Sequence, residues 1–420
     1  MPTSNAQREF AEQVVKKLRD TGHEALWAGG CVRDQLLGRT PKDYDVATSA
    51  RPDQVRELFG HRRTLAIGAA FGVISILGGK KRDAIEVATF RSDGAYLDGR
   101  HPTEVTFTTA EEDAQRRDFT INGLFYDPLS EKLIDYVNGE QDLLQGVVRA
   151  IGEPSARFAE DKLRMLRAVR FATTFDFVVD QATLTAIRNM AAEVHAVSAE
   201  RIGAEVRKVL QHPQRRRGVE LLRETNLLLP LFPALADWTT QNERGWQSLL
   251  GTLDNLETES VSVALAILFS QTGFGQTDRS DRVREYGRRF RFTNKEIDRA
   301  AWLVEKIGLI DEAANLPWPR LQPLLVHEGT DDLLALAVAM RGDEHEGVRV
   351  CRERLALPAE QLDPKPLITG DDLVGHGLRP RKYFGELLDH IRTAQLEQLI
   401  SDRQQALRLA DEWLRHHPRE

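Results

Sequence analysis

GGCVRDQLLGRTPKDYDVATS, residues 29–49, sets a glycine pair, a short helical stretch and an Asp-Tyr-Asp step within one span. The preceding HEALWAGG reads as a short strand that ends in Gly29 and Gly30, CVRDQLLG as a helix closed by Gly38, and DYDVATS as an alternating strand. On a strand, residues i and i+2 face the same way, so Asp43 and Asp45 project together. Two like charges that close repel unless a cation sits between them. The pair is either a solvent-facing strand end or a seat for a hard cation. Carboxylates without histidine or thiolate partners select Mg²⁺, which keeps several waters and is completed by phosphate oxygens. Glu86, on the later strand AIEVATF, is a possible third ligand or an ordinary polar position of an alternating strand. Gly29 and Gly30 let backbone N–H groups approach a phosphate at a helix start, or simply make a turn. Arg33, one turn into that helix, can bind the same phosphates or pair with Asp34 or Asp43.

Working outward, the first 135 or so residues alternate helical and strand patterns. FAEQVVKKLRD and RPDQVRELFG have helical spacing, the second with proline near its start; FGVISILGG and DAIEVATF are β-rich and joined by a Gly-Gly-Lys-Lys turn that suggests a hairpin. Past residue 150 the strand signal fades into amphipathic helices with short connections. The fold class is therefore α+β: a small mixed sheet with helices over 1–150, then an all-α remainder. Pro-rich breaks at 315–323 and 355–370 are expected to separate helical subdomains within that remainder.

With 420 residues, 41% of them hydrophobic and 29% charged, the chain can bury a full core. The N-terminus lacks an apolar signal core, and the best apolar run, VSVALAILF (261–269), is too short to span a bilayer, so a cytoplasmic protein away from membranes is expected. Two cysteines, Cys31 and Cys351, exclude a disulfide framework and a cysteine-rich zinc site, and neither is assigned a role. A net charge of −7 does not advertise nucleic-acid binding, but it averages away local basic clusters such as RKVLQHPQRRRG (207–218) and GLRPRKYFG (377–385).

GGCVRDQLLG followed by PKDYDVATS resembles the signature of class II nucleotidyltransferases of the polymerase β superfamily, the tRNA CCA-adding enzymes and bacterial poly(A) polymerases. Further blocks continue the resemblance. FRSDGAYLDGRHPTEVTF (90–107) is similar to the family's flexible loop, RRDFTINGLFYD (116–127) to its second motif and NGEQDLLQGVVRAIG (138–152) to its head-to-neck hinge. RFAEDKLRMLRAVRF (157–171) resembles the nucleotide-recognition helix, and SAERIGAEVRKVL (198–210) the next neck motif. The resemblance implies a catalytic head, 1–150, a helical neck, 151–225, a body, 226–360, and an RNA-binding tail, 361–420. It implies Asp43 and Asp45 as catalytic Mg²⁺ ligands, and Gly30, Arg33, Arg117, Asp161, Arg164, Arg167 and Arg170 as nucleotide-binding, with Asp118 and Asn122 supporting the sugar or the hinge.

The recognition helix permits a physical reading. At 3.6 residues per turn Met165, Leu166, Val169 and Ala172 share an apolar face, while Asp161, Arg164 and Arg167 wind along the other side, as a charged outer face also would. Cytosine and adenine both present an amino donor beside a ring-nitrogen acceptor; uracil and guanine present the reverse. A carboxylate acceptor at Asp161 with a guanidinium donor at Arg164 suits CTP and ATP and leaves unpaired groups with UTP or GTP. The resemblance implies transfer to the 3′ end of tRNA by two-metal phosphoryl transfer, the RNA held by its acceptor and TΨC arms. Ala69 and Ala70 stand where bacterial poly(A) polymerases carry a basic pair, which favours tRNA repair. A-only addition and poly(A) synthesis remain the alternatives. A non-catalytic RNA-binding protein would be expected to have lost Asp43 or Asp45, and both are present.

Overall fold

The computed structural model describes residues 4–79, 84–94, 105–273 and 275–416. Lys80 and Lys81 of the expected turn and residues 95–104 of the loop-like block lie outside them. The chain divides into two compact units, Met1–Trp246 with Arg288–Phe292, and Gln247–Gly287 with Thr293–Glu420.

The first unit opens with α1 (Ser4–Asp20), β1 (Ala25–Ala28), α2 (Gly30–Leu36), β2 (Asp45–Thr48) and α3 (Pro52–Phe59). Strands β3 (Thr64–Gly68), β4 (Val73–Ile76), β5 (Ile85–Thr89), β6 (Arg91–Asp93) and β7 (Val105–Phe107) follow. After α4 (Ala110–Gln115) come β8 (Phe125–Asp127) and β9 (Lys132–Ile134). The main sheet has the order β3-β4-β5-β2-β1-β8-β9. Its pairs are antiparallel except β2 with β5, which run parallel with Asp45 in register with Glu86. The β4–β5 pairing is the expected hairpin. One face buries Leu26, Ala28, Ala47, Phe90 and Phe125 against Ala110 and Ala114 of α4, and α1 crosses β1, β2 and β5. Strand alternation of this kind is what the sequence pattern encodes: β5 shows buried Ile85, Val87 and Thr89 around an exposed Glu86.

Beyond the sheet lie α5 (Gly139–Gln145), β10 (Val147–Val148), α6 (Pro154–Glu160), α7 (Leu163–Phe175), β11 (Val178–Val179), α8 (Gln181–Met190), α9 (Ala199–Gln211) and α10 (Arg215–Glu224). The short β10 and β11 pair in parallel, and α7 packs on α9 and α10. Gly203 of α9 permits a close approach, since a Cβ there would fall 1.9 Å from the carbonyl oxygen of Phe290. Within the basic run 207–218, Arg215 is wholly buried, while Arg216 pairs with Glu220 and Arg217 with Glu224.

The second unit is helical throughout its described residues. The apolar run forms the helix Val261–Ser270, every residue of it buried. Nearer the C-terminus, Ile368, Leu373, Leu378, Leu387, Ile391, Ala406 and Ala410 make a separate small core. A mixed-sheet head followed by an extended all-α region is the architecture the sequence implied. No described helix is long and apolar enough to cross a membrane.

Candidate active site

Antiparallel pairing of β1 with β2 puts the end of the first beside the start of the second, so Gly29 and Gly30 lie at the strand-end edge of the sheet, mid-sheet, where β2 begins. Trp27 pairs with Val46, which sets Ala28 next to Asp45. Strand β2 begins at Asp45, so Asp43 precedes the strand rather than lying on it. The alternation holds nonetheless: Tyr44 is 3% exposed and packs edge-on against Trp27 at 4.8 Å, while Asp43 and Asp45 on either side are exposed. Desolvation in this crowded edge, then the charges of Asp43 and Glu86, push the Asp45 carboxyl up to about 6 against the pull of Arg117. Loss of hydration at this strand end is thus the larger cause, and repulsion from the two neighbouring carboxylates adds to it. Among the described residues no three His, Cys, Asp or Glu side chains form a ready-made metal cage. The donor set still fits Mg²⁺: all-oxygen, mutually repelling, and too few to displace the ion's waters.

Behind this edge, a cleft of about 560 Å³ is lined by eight arginines and three aspartates, Asp45 among them. The arginines are anchored. Arg33, 9% exposed, donates to Asp34 at 2.7 and 2.9 Å and to Asn122 Oδ1, and lies over the Phe175 ring at 4.5 Å. The Asp34 pairing is the structural alternative that the sequence left open. Gly29 adopts φ +70°, and its N–H already donates to Leu124 O at 3.1 Å, so of the glycine pair this N–H is not available to a phosphate. Arg117 binds Asp113 through Nε and Nη2 at 3.2 and 2.9 Å and Asn122 O through Nη1 at 3.2 Å.

The recognition segment differs from the continuous helix expected. Asp161 is extended, at φ −146° and ψ 104°, and breaks the chain between α6 and α7. Its Oδ1 accepts the N–H of Leu163 at 3.0 Å, so a side chain expected on the helix instead closes a local turn just ahead of it. Arg164, 8% exposed, is held by Glu160, by Arg157 O at 3.0 Å and by Arg116 O at 3.3 Å. Arg167 grips Asp118 at 2.6 and 2.7 Å. Desolvation would raise Asp118, but the Arg167 charge and hydrogen bonds from Asn122, Arg167 and Phe119 N–H hold it at about 2. Arg170 pairs with buried Glu205 and stacks on Phe171 at 3.8 Å.

The structure thus brings Gly30, Arg33, Asp45, Arg117, Asp161, Arg164, Arg167 and Arg170 around one cleft, with Asp118 and Asn122. Asp43 and Glu86 flank Asp45 at the sheet edge. Arg91, Arg116 and Arg201 also line it and had no role in the sequence reading. Arg201 holds Asp161, and Asp113 holds Arg116 and Arg117. Cys31 and Cys351 are free and buried, and burial pushes their thiols to about 12 and about 11, which makes them packing residues.

A mixed sheet presenting two carboxylates at one edge, beside an arginine-lined cleft that runs into neck helices, is the build of a polymerase β-type nucleotidyltransferase. A model of the Poly A polymerase head domain matches residues 25–149, and one for the probable RNA and SrmB-binding site of polymerase A matches residues 176–239. The CCA-adding enzyme of Enterococcus faecalis is 32% identical over 414 residues, 97% of each chain. The poly(A) polymerase I of Haemophilus influenzae is 37% identical over 283 residues, covering 63% of this chain and 62% of that protein. The chain spans about 60% of the length of the poly(A) polymerases it matches. Among solved structures, the Bacillus stearothermophilus CCA-adding enzyme in complex with CTP aligns over 99% of both chains with a TM-score of 0.75 at 27% identity. The Thermotoga maritima CCA-adding enzyme complexed with tRNA shares the fold, with a TM-score of 0.65 at 20% identity over 97% of this chain and 95% of that one. The chain belongs to the family of CCA-adding enzymes and bacterial poly(A) polymerases.

Proposed function

We propose that the protein is a template-independent tRNA nucleotidyltransferase that adds CCA to tRNA 3′ ends from CTP and ATP, releasing pyrophosphate. The observation that carries this reading is the one cleft where Asp45 meets Asp161 and eight arginines, Arg164 among them. Asp43 and Asp45, with Glu86 alongside, would hold Mg²⁺. Bound Mg²⁺ would supply Lewis-acid charge at the reacting phosphate and at the pyrophosphate oxygens. Gly30, Arg33, Arg117, Arg167 and Arg170 hold and orient the triphosphate and close the pocket around it. Asp161 and Arg164 read the base edge, accepting from the amino group and donating to the ring nitrogen that cytosine and adenine share. The tRNA 3′-hydroxyl attacks the α-phosphorus, forming the new phosphodiester as pyrophosphate leaves.

Within this reading 1–150 serves as catalytic head, 151–225 as neck, 226–360 as body and 361–420 as tail, with the helical segments holding the acceptor and TΨC arms by phosphate contacts and shape. Two unpaired buried thiols fit a reducing cytoplasm. Likeness to a CCA-adding enzyme over nearly the whole chain supports tRNA as substrate. A second reading, poly(A) synthesis, draws on the 37–40% identity to poly(A) polymerases over 62–63% of this chain; an A-adding specialist is a third.

Extension of end-labelled tRNAs ending at the discriminator base, at C and at CC, with Mg²⁺ and CTP, ATP or both, decides among them. Addition of CCA that then stops is the expected result. One A on the CC-ended tRNA alone means an A-adding specialist, and long A tails on unrelated RNA mean a poly(A) polymerase.

A further inference from the structure

Asp113 lies one turn before Arg116 and Arg117, and 1% of its surface reaches solvent. Its Oδ1 accepts from Arg116 Nε at 2.9 Å and Nη2 at 2.7 Å, and from the main-chain N–H of Arg91 at 3.3 Å. Its Oδ2 accepts from Arg117 Nε at 3.2 Å and Nη2 at 2.9 Å. A carboxylate this buried is costly unless fully compensated. Here two guanidinium groups and a backbone donor compensate it. Every group it holds belongs to a residue lining the cleft, although Asp113 itself does not line it. Arg117 is further seated over the Phe125 ring at 5.0 Å, and Arg116 O accepts from Arg164 Nη2 at 3.3 Å. One carboxylate therefore fixes two cations of the pocket, the start of β6 and, through Arg116, a neighbour of Arg164.

We infer that Asp113 is a positioning residue of the nucleotide cleft, pre-setting Arg116 and Arg117 for the triphosphate so that their rotamers are not frozen at each binding event. The inference rests on the nucleotidyltransferase reading. A held guanidinium gives up less freedom on binding than a free one. The test is initial-rate kinetics of wild type, Asp113→Asn and Asp113→Glu, with CTP on tRNA ending at the discriminator base and ATP on tRNA ending in CC. Asp113→Asn is expected to raise KM for both nucleotides about tenfold, the size of one charge-assisted hydrogen bond lost at a ligand. The KM for tRNA and kcat should stay within about twofold, since only ground-state and transition-state binding of the triphosphate is lost together. Asp113→Glu should recover part of the loss. In a cycle with Arg117→Lys the penalties should be less than additive, because lysine offers no fork for the carboxylate to hold. An unchanged nucleotide KM in a folded Asp113→Asn overturns the inference, as does an equal rise in KM for tRNA and nucleotide, or a fall in apparent kcat alone that tracks lost folded fraction by circular dichroism. Should Asp113→Asn not fold, Asp113→Glu in the same cycle carries the comparison, and strict additivity there overturns it. Wild type with no transfer at all removes the functional reading and this inference together; active wild type with unmoved variants removes this inference alone.

Discussion

Arg201 grips Asp161 through two hydrogen bonds, 2.6 and 3.2 Å long, reaching from α9 to the break before α7. A carboxylate held at both oxygens points one way. If Asp161 reads the amino edge of the incoming base, its direction sets which bases fit. Arg201→Ala should therefore raise incorporation of UTP and GTP relative to CTP and ATP by about tenfold, one misaligned hydrogen bond's worth of discrimination. Single-turnover misincorporation on CC-ended tRNA measures it. A profile that matches wild type would show that Asp161 needs no such support.

Asp45 gives a prediction of opposite sign for stability and activity. Its carboxyl sits at about 6 in the fold against an ordinary 3.8, so between those values the folded chain holds the proton that the unfolded chain has lost. Stability contributed by this group therefore falls as pH rises through that window. Asp45→Asn should abolish transfer yet raise the melting temperature of metal-free protein by about 2 °C at pH 8, the gain shrinking toward pH 4. Mg²⁺ should stabilise wild type and leave Asp45→Asn unmoved. Retained transfer in both Asp43→Ala and Asp45→Ala would remove the metal assignment.

The legible part of the site was the part with local periodicity. Asp43 and Asp45 show themselves by their spacing of two around a buried aromatic, and Glu86 by alternation on β5. The break at Asp161 has no such local mark, because EDKLRMLRAVRF keeps helical spacing throughout; the bond from Leu163 N–H and the reach of Arg201, 40 residues on, accompany it. Long-range pairs leave no periodic trace. Arg215 misleads for a related reason, since it counts toward the basic cluster 207–218 in the sequence but is buried in the fold. Asp113 was within reach: it stands three and four residues before two arginines, the spacing of facing helical neighbours.

Asp118 carries the reverse linkage. Held at about 2 against an ordinary 3.8, it contributes stability that is fully present above pH 4 and lost as pH falls through its folded value. Asp118→Asn should cost about 2 kcal/mol at pH 7, and the gap to wild type should close near pH 2. Urea midpoints at pH 7, 4 and 2.5 trace it. A penalty independent of pH would mean that the loss comes from packing and not from the Arg167 ion pair.

Gly29 ties backbone geometry to the arginine beside it. Its φ of +70° and ψ of −122° lie where side chains are strained, and a Cβ there would stand 2.9 Å from Arg117 Nη1. The residue cannot turn away, because its N–H donates to Leu124 O and its carbonyl accepts from Arg33 N, each at 3.1 Å. Gly29→Ala should therefore cost about 2 kcal/mol of stability through backbone strain. It should also move Arg117 off its seat, raising KM for CTP and ATP alike while base selection, which we propose lies with Asp161 and Arg164, stays as in wild type. Urea unfolding and nucleotide KM on the same preparation separate the two effects. A destabilised variant with wild-type KM would show that Arg117 reaches its position without the space that Gly29 leaves.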